Sequence, residues 1–381
     1  MTTLTGYEFV KQFEKVVPTW LAEERDPIGL HVGDLSRPVT KIMVTLDVRP
    51  EVVQEAIEHG VDFILAHHPP IYSPIARLDL SNPQINMYAD LIKHDITVYA
   101  AHTNLDNAQG GMNDWLADQL QLEDVEVMAV SKTIPLKRLS VYAPKEHAEA
   151  VRVAMTKAGA GHVTDNYKDC SYSIEGKGRF TPINDADPTI GEVNQAEVVE
   201  EERIEVVVEE RYLSEVIFAM KQAHPYEEAV YDSFSIDQKQ AQAYGLGRVG
   251  NLKEDMSVLD FVTYVKQAFQ VDGLRVTAPQ NNLNQTIRRV ALCGGDAGKY
   301  YQKAIDKQAD VYITGDVYYH TAHDMQAAGL LVIDPGHHIE KVCIPKLYDM
   351  VNEWRSDLGW QIELMSSTID TNPFLFDSQL S

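Results

Sequence analysis

Three short segments concentrate residue types that can bind a metal ion. Ala66-His67-His68-Pro69-Pro70, His102-Thr103-Asn104-Leu105-Asp106 and Pro335-Gly336-His337-His338-Ile339-Glu340 each follow an apolar run. Adjacent His67 and His68 point in different directions from an extended chain, so they serve one ion poorly but can flank two. His337 and Glu340 are three residues apart, which places them on one face of a starting helix. Asp106 supplies a second carboxylate. Imidazole plus carboxylate without thiolate favours zinc, iron or manganese over copper(I) or an iron–sulfur cluster. Two ions about 3.5–4 Å apart lower the pKa of a bridging water and hold a polar substrate beside it, the logic of metal-assisted hydrolysis. Each segment alone has a plainer reading: His67 as a loop residue before two prolines, Asp106 as a cap for the next helix. Their convergence on strand ends is what points to a site.

The elements that must position these residues follow an α/β rhythm. KIMVTLDV (41–48), DFILAHHPP (62–70) and ITVYAAHTNLD (96–106) read as strands running into polar ends. PEVVQEAIEHG (50–60), YADLIKHD (88–95) and GGMNDWLADQLQL (110–122) read as the intervening helices, giving βαβαβ. In an open α/β sheet ligands sit beyond the carboxyl ends of the strands, where the histidines fall. From about residue 128 the order becomes β-α-β-β-α-β, an α+β ferredoxin-like unit. After residue 246 the first rhythm returns with strands near 288–298, 309–316, 329–338 and 360–367. The expectation is a doubly wound α/β core split in sequence, 1–127 and 247–381, with residues 128–246 inserted.

Charge and cysteine content restrict the partners. Thirty-three Lys and Arg against 57 Asp and Glu leave a formal net charge of −24 on 381 residues. That argues against coating a nucleic acid or an anionic membrane, which needs clustered cations. No apolar run reaches the length of a membrane span, and the N-terminal stretch lacks the apolar segment of a signal peptide. Cys170, Cys293 and Cys343 form no C-x-x-C pair, so a reducing, cytoplasmic location is expected.

Other segments invite weaker readings. Asp47 after the first strand, His102 just before Asp106, and His320 in TGDVYYHTAHD (314–324) are candidates for proton transfer or for holding metal-bound imidazoles. Gly294-Gly295-Asp296-Ala297-Gly298-Lys299 lacks a Walker A glycine at Cys293 and the Ser or Thr at Tyr300, so it reads as a strand-to-helix turn. His224-Pro225-Tyr226-Glu227-Glu228 resembles a family motif and reads equally as a proline turn entering a strand, and Glu200-Glu201-Glu202 reads as a solvated charge run.

AHHPPIY, AAHTNLD and PGHHIEKV, together with DPIGLHVGD (26–34), resemble the dinuclear-metal family of GTP cyclohydrolase 1 type 2 homologues, also called NIF-three-like proteins. The resemblance spans essentially the whole chain, and the insertion is similar to the PII- or CutA-like domain of longer bacterial members. Carried over residue by residue, it implies His67, His68, Asp106, His337 and Glu340 as ligands of two divalent metal ions, with Glu340 bridging. It also implies a ring-shaped homohexamer. Arg25 and His31 stand where the family usually has Trp and Gln. The family name implies water attack on the guanine ring of GTP with release of formate. A phosphoesterase or nucleotidase using the same metals, and a metal-binding regulatory oligomer with little turnover, remain the alternatives.

Overall fold

The computed structural model describes residues 4–162, 166–236, 243–279 and 282–376. The chain opens with α1 (Gly6–Val16), whose start is fixed by a capping box in which Thr5 accepts from the Glu8 amide and Glu8 accepts from the Thr5 amide. Then come β1 (Gly29–Val32), β2 (Lys41–Thr45), α2 (Pro50–Glu58), β3 (Phe63–Ala66), α3 (Pro83–Lys93), β4 (Thr97–Ala100), α4 (Thr103–Asn107), α5 (Met112–Gln119) and β5 (Glu123–Thr133). Helices α2 and α3 each begin with proline at the first helical position, and Asn82 caps α3.

The chain folds into two compact units, one made of Met1–Lys132 with Tyr244–Ser381 and the other of Thr133–Ala243. The second unit contains β6 (Leu136–Pro144), α6 (Ala148–Lys157), β7 (Ser171–Phe180), β8 (Glu197–Glu209), α7 (Leu213–Ala223) and β9 (Tyr231–Ile236). Its four strands form one antiparallel sheet in the order β7-β8-β6-β9. Leu139, Val141, Ile204 and Val206 share a core with Val151, Met155, Val216 and Met220 of the helices. Two side chains here are less exposed than their sequence context suggests. Glu201, expected in a solvated run, is buried on β8 and accepts a hydrogen bond from the Tyr226 hydroxyl at 3.0 Å. His224 is locked between the Tyr142 carbonyl and the Tyr226 amide, which fixes the proline turn.

The first unit resumes with β10 (Ala243–Ser257), α8 (Val258–Phe269), β11 (Arg275–Thr277), β12 (Thr286–Asp296), α9 (Tyr301–Asp306), β13 (Val311–Gly315), α10 (Tyr319–Ala327), β14 (Leu331–Asp334), α11 (Cys343–Asp357) and β15 (Glu363–Ser366). The doubly wound core expected to be split in sequence consists of two sheets. The order β1-β4-β3-β2-β15 makes the first, and β11-β14-β13-β12-β10-β5 the second. Both contain parallel runs, β15-β2-β3-β4 and β12-β13-β14; β1 adds antiparallel to β4, and β10 and β11 add antiparallel to β12 and β14. Apolar periodicity reveals that a segment is a buried strand, but not which neighbour it pairs with. Strand β5, which was not read from the sequence and runs past residue 128 where the insertion was expected to begin, lies at the edge of the second sheet, and β15 returns to the first. No helix among the described residues is long and apolar enough to cross a membrane.

Each sheet buries its own apolar cluster. Met43, Ile64 and Val98 pack against Val52, Val53, Met87 and Leu91, while Ala291, Tyr312 and Val332 pack against Ala304 and Met325. A fully buried cation, Arg248 on β10, ties the second sheet to the segment after α4. Its guanidinium meets both oxygens of Asp114 at 2.6 and 2.8 Å and donates to the carbonyls of Ala108, Gly245 and Gly247. A bidentate guanidinium–carboxylate pair is strong only while every donor is matched. Arg248→Met should therefore leave Asp114 and three carbonyls without their donor and lower the unfolding free energy by about 3 kcal/mol. A urea midpoint equal to that of the parent protein would contradict this assignment.

Candidate metal centre

Strands β2 and β3 hand their pairing on to the residues beyond them. The His67 and His68 amides donate to the Thr45 and Leu46 carbonyls at 3.2 and 2.9 Å, so the two histidines leave β3 on a fixed path. Asp47 follows β2 on the neighbouring strand end. His102 stands just before the short helix α4, which carries Asp106, and the His102 carbonyl accepts from the Leu105 and Asp106 amides. That five-residue helix is anchored by Asp26, which accepts from the Thr103 amide and hydroxyl, and by Asn104 and Asn107, which donate to the Val17 and Leu21 carbonyls. From the second sheet, β14 ends at Asp334 and the chain turns through Gly336, at φ +88°, into a 3-10 segment over His337–Val342. In a 3-10 turn residues three apart eclipse one another. This is why His337 Nε2 and Glu340 Oε2 come within 3.1 Å, where an α-helical start was expected from the sequence.

The five residues singled out as ligands form two overlapping groups. His67, Asp106 and Glu340 make one, and His68, His337 and Glu340 the other, each with its potential ligand atoms within 4.8 Å of one another. Glu340 Oε2 is 3.0 Å from His68 Nε2 and 3.8 Å from His67 Nε2, and His67 Nε2 is 3.6 Å from Asp106 Oδ1. The nitrogens His68 Nε2 and His337 Nε2 are 3.3 Å apart. His102 closes a third group with His67 and His68.

Every imidazole in the cluster is oriented through its other nitrogen. Nδ1 of His67 donates to the Ala101 carbonyl at 2.8 Å, that of His68 to Asp47 at 2.7 Å, that of His337 to Asp316 at 2.7 Å and that of His102 to Asp26 at 2.8 Å. A carbonyl or carboxylate only accepts, so a proton sits on each Nδ1 and Nε2 faces the cluster, its lone pair free only where the ring is neutral. Of the three residues proposed from sequence to assist, Asp47 and His102 sit in this network. His320 lies exposed on α10 against the rings of Tyr318 and Tyr319, and belongs to none of the groups.

Burial is severe and sets the charges. It acts to depress all four imidazoles and prevails only at fully buried His67, whose pKa falls to about 3. At His68 the hydrogen bonds to Asp47 and Glu340 override burial and raise the pKa to about 10. His337 rises to about 9 because Glu340 and Asp316 likewise outweigh burial. Burial opposes ionisation of Glu340, yet the His337 and His68 imidazoles hold its carboxyl well below the usual range. Asp106 has no such pairing, and burial followed by the nearby charge of Glu340 pushes it up to about 7. The donor set fits a metal: His67 Nε2 and Asp106 Oδ1 are buried acceptors without a hydrogen-bond partner. Leaving such groups unmatched costs about 1–3 kcal/mol each, and a bound cation satisfies both.

Several contributors carry no clear signal of their own in the sequence. Asp316 is the exception, since it directly ends β13 and satisfies the strand-end rule that singles out His67. The pair Gly294-Gly295, expected to be a turn, is the end of β12 pressed against the cluster. A Cβ on Gly294 would stand 2.7 Å from Glu340 Oε1, and Gly295 has φ +64° with the same oxygen at 3.0 Å. Asn113 donates to the Asp106 carbonyl and accepts from the Gly294 amide, joining the two sheets' contributions. No local pattern marks it.

An α/β protein whose strand ends gather imidazoles and carboxylates in this way is a candidate metal-binding protein. Its relatives agree in fold and sequence. The family model described as Duf34/NIF3 (NGG1p interacting factor 3) matches residues 4–373, and the chain belongs to that family. A Bacillus subtilis protein named GTP cyclohydrolase 1 type 2 homolog is 44% identical over 374 residues, covering 98% of this chain and 99% of its own. A Listeria innocua protein of the same name is 46% identical, covering 99% and 100%. The crystal structure of a Bacillus cereus protein related to NIF3 superposes with a TM-score of 0.90 at 41% identity, over 99% of this chain and all of that one. Staphylococcus aureus protein SA1388 gives 0.81 at 30% identity, over 99% of both.

Gly294→Ala tests whether the glycine edge is needed. The added methyl group should displace the Glu340 carboxylate and sharply reduce the divalent metal retained through gel filtration, with far-UV circular dichroism preserved. Full retention would show that the close approach is incidental.

Proposed function

We propose that this protein is a dinuclear-metal-dependent hydrolase. The observation that carries the reading is the sharing of Glu340 by two three-residue groups whose imidazoles all present Nε2. His67, Asp106 and Glu340 would hold one divalent ion, and His68, His337 and Glu340 the other, with Glu340 common to both groups. Zinc, iron or manganese suits these donors, since no thiolate belongs to the groups. Ions held there supply Lewis acidity and a depressed water pKa at neutral pH. His102, its Nδ1 proton fixed on Asp26, takes or gives a proton at Nε2. Asp47 and Asp316 hold the rings of His68 and His337.

The names of the relatives support GTP as substrate; in that reaction one water would add at C8 and open the imidazole ring of guanine to a formamide, and a second water would hydrolyse the formamide to formate and the free amine. A metal-dependent phosphoesterase or nucleotidase would use the same centre. The strand order β7-β8-β6-β9 supports reading the second unit as a ferredoxin-like, PII- or CutA-like insertion, which is what a regulatory, metal-binding oligomer would employ. We place the protein in the cytoplasm as a homo-oligomer, a hexamer by family resemblance.

Two measurements test these assignments. Metal analysis should give close to two transition ions per chain, falling steeply in His337→Ala and Glu340→Ala; unchanged content in both variants refutes the ligand set. Metal-loaded protein incubated with GTP should release formate. Phosphate without formate would replace the cyclohydrolase with the phosphoesterase, and neither product would favour the regulatory oligomer.

A further inference from the structure

The segment after β15, residues 367–376, makes more directed hydrogen bonds than a trailing end requires. Ser367 continues the strand by donating its amide to the Val44 carbonyl at 2.9 Å. Its hydroxyl, together with the amide and hydroxyl of Thr368, surrounds the Glu55 carboxylate on α2 at 2.6, 2.9 and 2.6 Å. Ile369 packs into the apolar cluster of the first sheet. Beyond it the segment meets the surroundings of the metal centre twice. Asp370 lies 3.0 Å from His338 Nε2, and the Thr371 hydroxyl donates to Asp47 Oδ2. Further on, the Phe376 ring covers Gly273 so closely that a Cβ there would stand 2.4 Å from it.

The two contacts near the centre differ in weight. The Asp370 side chain is 79% exposed, so its ion pair with His338 is screened and contributes little. Asp47 is only 25% exposed and is divided between two donors: Oδ1 accepts from His68 Nδ1 at 2.7 Å and Oδ2 accepts from Thr371. A carboxylate held at one oxygen can swing about its Cβ–Cγ bond, whereas one held at both cannot. The plane of Asp47 fixes the ring of His68, whose Nε2 faces Glu340 at 3.0 Å.

We infer that Thr371 is a positioning residue for the metal centre, acting through Asp47 to orient His68, and that the segment 367–376 is a strap anchored on Glu55 for that purpose. This rests on the metal site proposed above. Outer hydrogen-bond partners of metal-bound imidazoles are worth roughly 10–100-fold in affinity. Thr371→Val keeps the shape of the side chain and removes only the donor.

The experiment compares the full-length parent, Thr371→Val and Thr371→Ser for Zn2+ affinity by competition with a chromogenic chelator, and for melting temperature without metal. The expected result is a loss of roughly 10-fold in one of the binding events for Thr371→Val, the low end of the range for direct partners of a ligating imidazole because Thr371 acts through Asp47. Thr371→Ser should restore parental affinity, and all three metal-free proteins should melt together. Parental affinity in Thr371→Val overturns the role of the strap while leaving the site intact. A lowered melting point in Thr371→Val without rescue by serine reduces Thr371 to a structural contact and overturns it equally. A parent protein that binds no Zn2+, Mn2+ or Fe2+ removes the site and the inference together.

Discussion

Placing carboxylates and imidazoles out of water is costly, and the first unit is organised around making that tolerable at one place. The means is a repeated pairing: Nδ1 of each ring is tied to an acceptor, so Nε2 has one direction in which to point. His67 uses the Ala101 carbonyl, and His68, His102 and His337 use Asp47, Asp26 and Asp316. Remove that constraint and a buried imidazole can present either nitrogen or flip its ring, and the convergence on Glu340 is lost. The acceptors belong to the backbone just past β4, to the ends of β2 and β13, and to the segment before β1. The demand on the fold is therefore a demand on where strands stop.

That explains the division into two sheets. A single parallel sheet delivers its strand ends along one line, while here Asp47, His67, His68 and Asp106 come from one sheet and Asp316, His337 and Glu340 from another. Arg248 and Asn113 are the fasteners between these contributions, each matched by charge or amide chemistry on both sides. Gly294 and Gly295 do the complementary work by leaving out side chains where the second sheet must approach Glu340.

Much of this is legible in the sequence, for a definable reason. His67, His68, Asp106, His337 and Glu340 follow apolar runs that can only be strands or helix starts, and strand ends are where α/β sheets put chemistry. Asp316 obeys the same rule, yet nearby His320 is more suggestive by type while being unrelated to the cluster by position. What local sequence does not carry is pairing across long separations. Nothing near β15 says that it joins β2, and nothing near Asn113 announces Gly294. The 3-10 turn at His337 is a subtler case, because an i, i+3 pair is compatible with either helix and the choice depends on the approach through Gly336.

The sharing of Glu340 has a thermodynamic consequence. Because one carboxylate faces both His67 with Asp106 and His68 with His337, neither half of the centre is an independent binding site. An ion taken up on one side would draw on the same negative charge and fix the same side chain that the other side needs. Whatever factor the first ion imposes on the affinity of the second, the second imposes on the first. In the dinuclear reading, loading would be described by a coupling free energy and two macroscopic constants, and a half-loaded protein would be a distinct chemical species with its own abundance at each metal concentration.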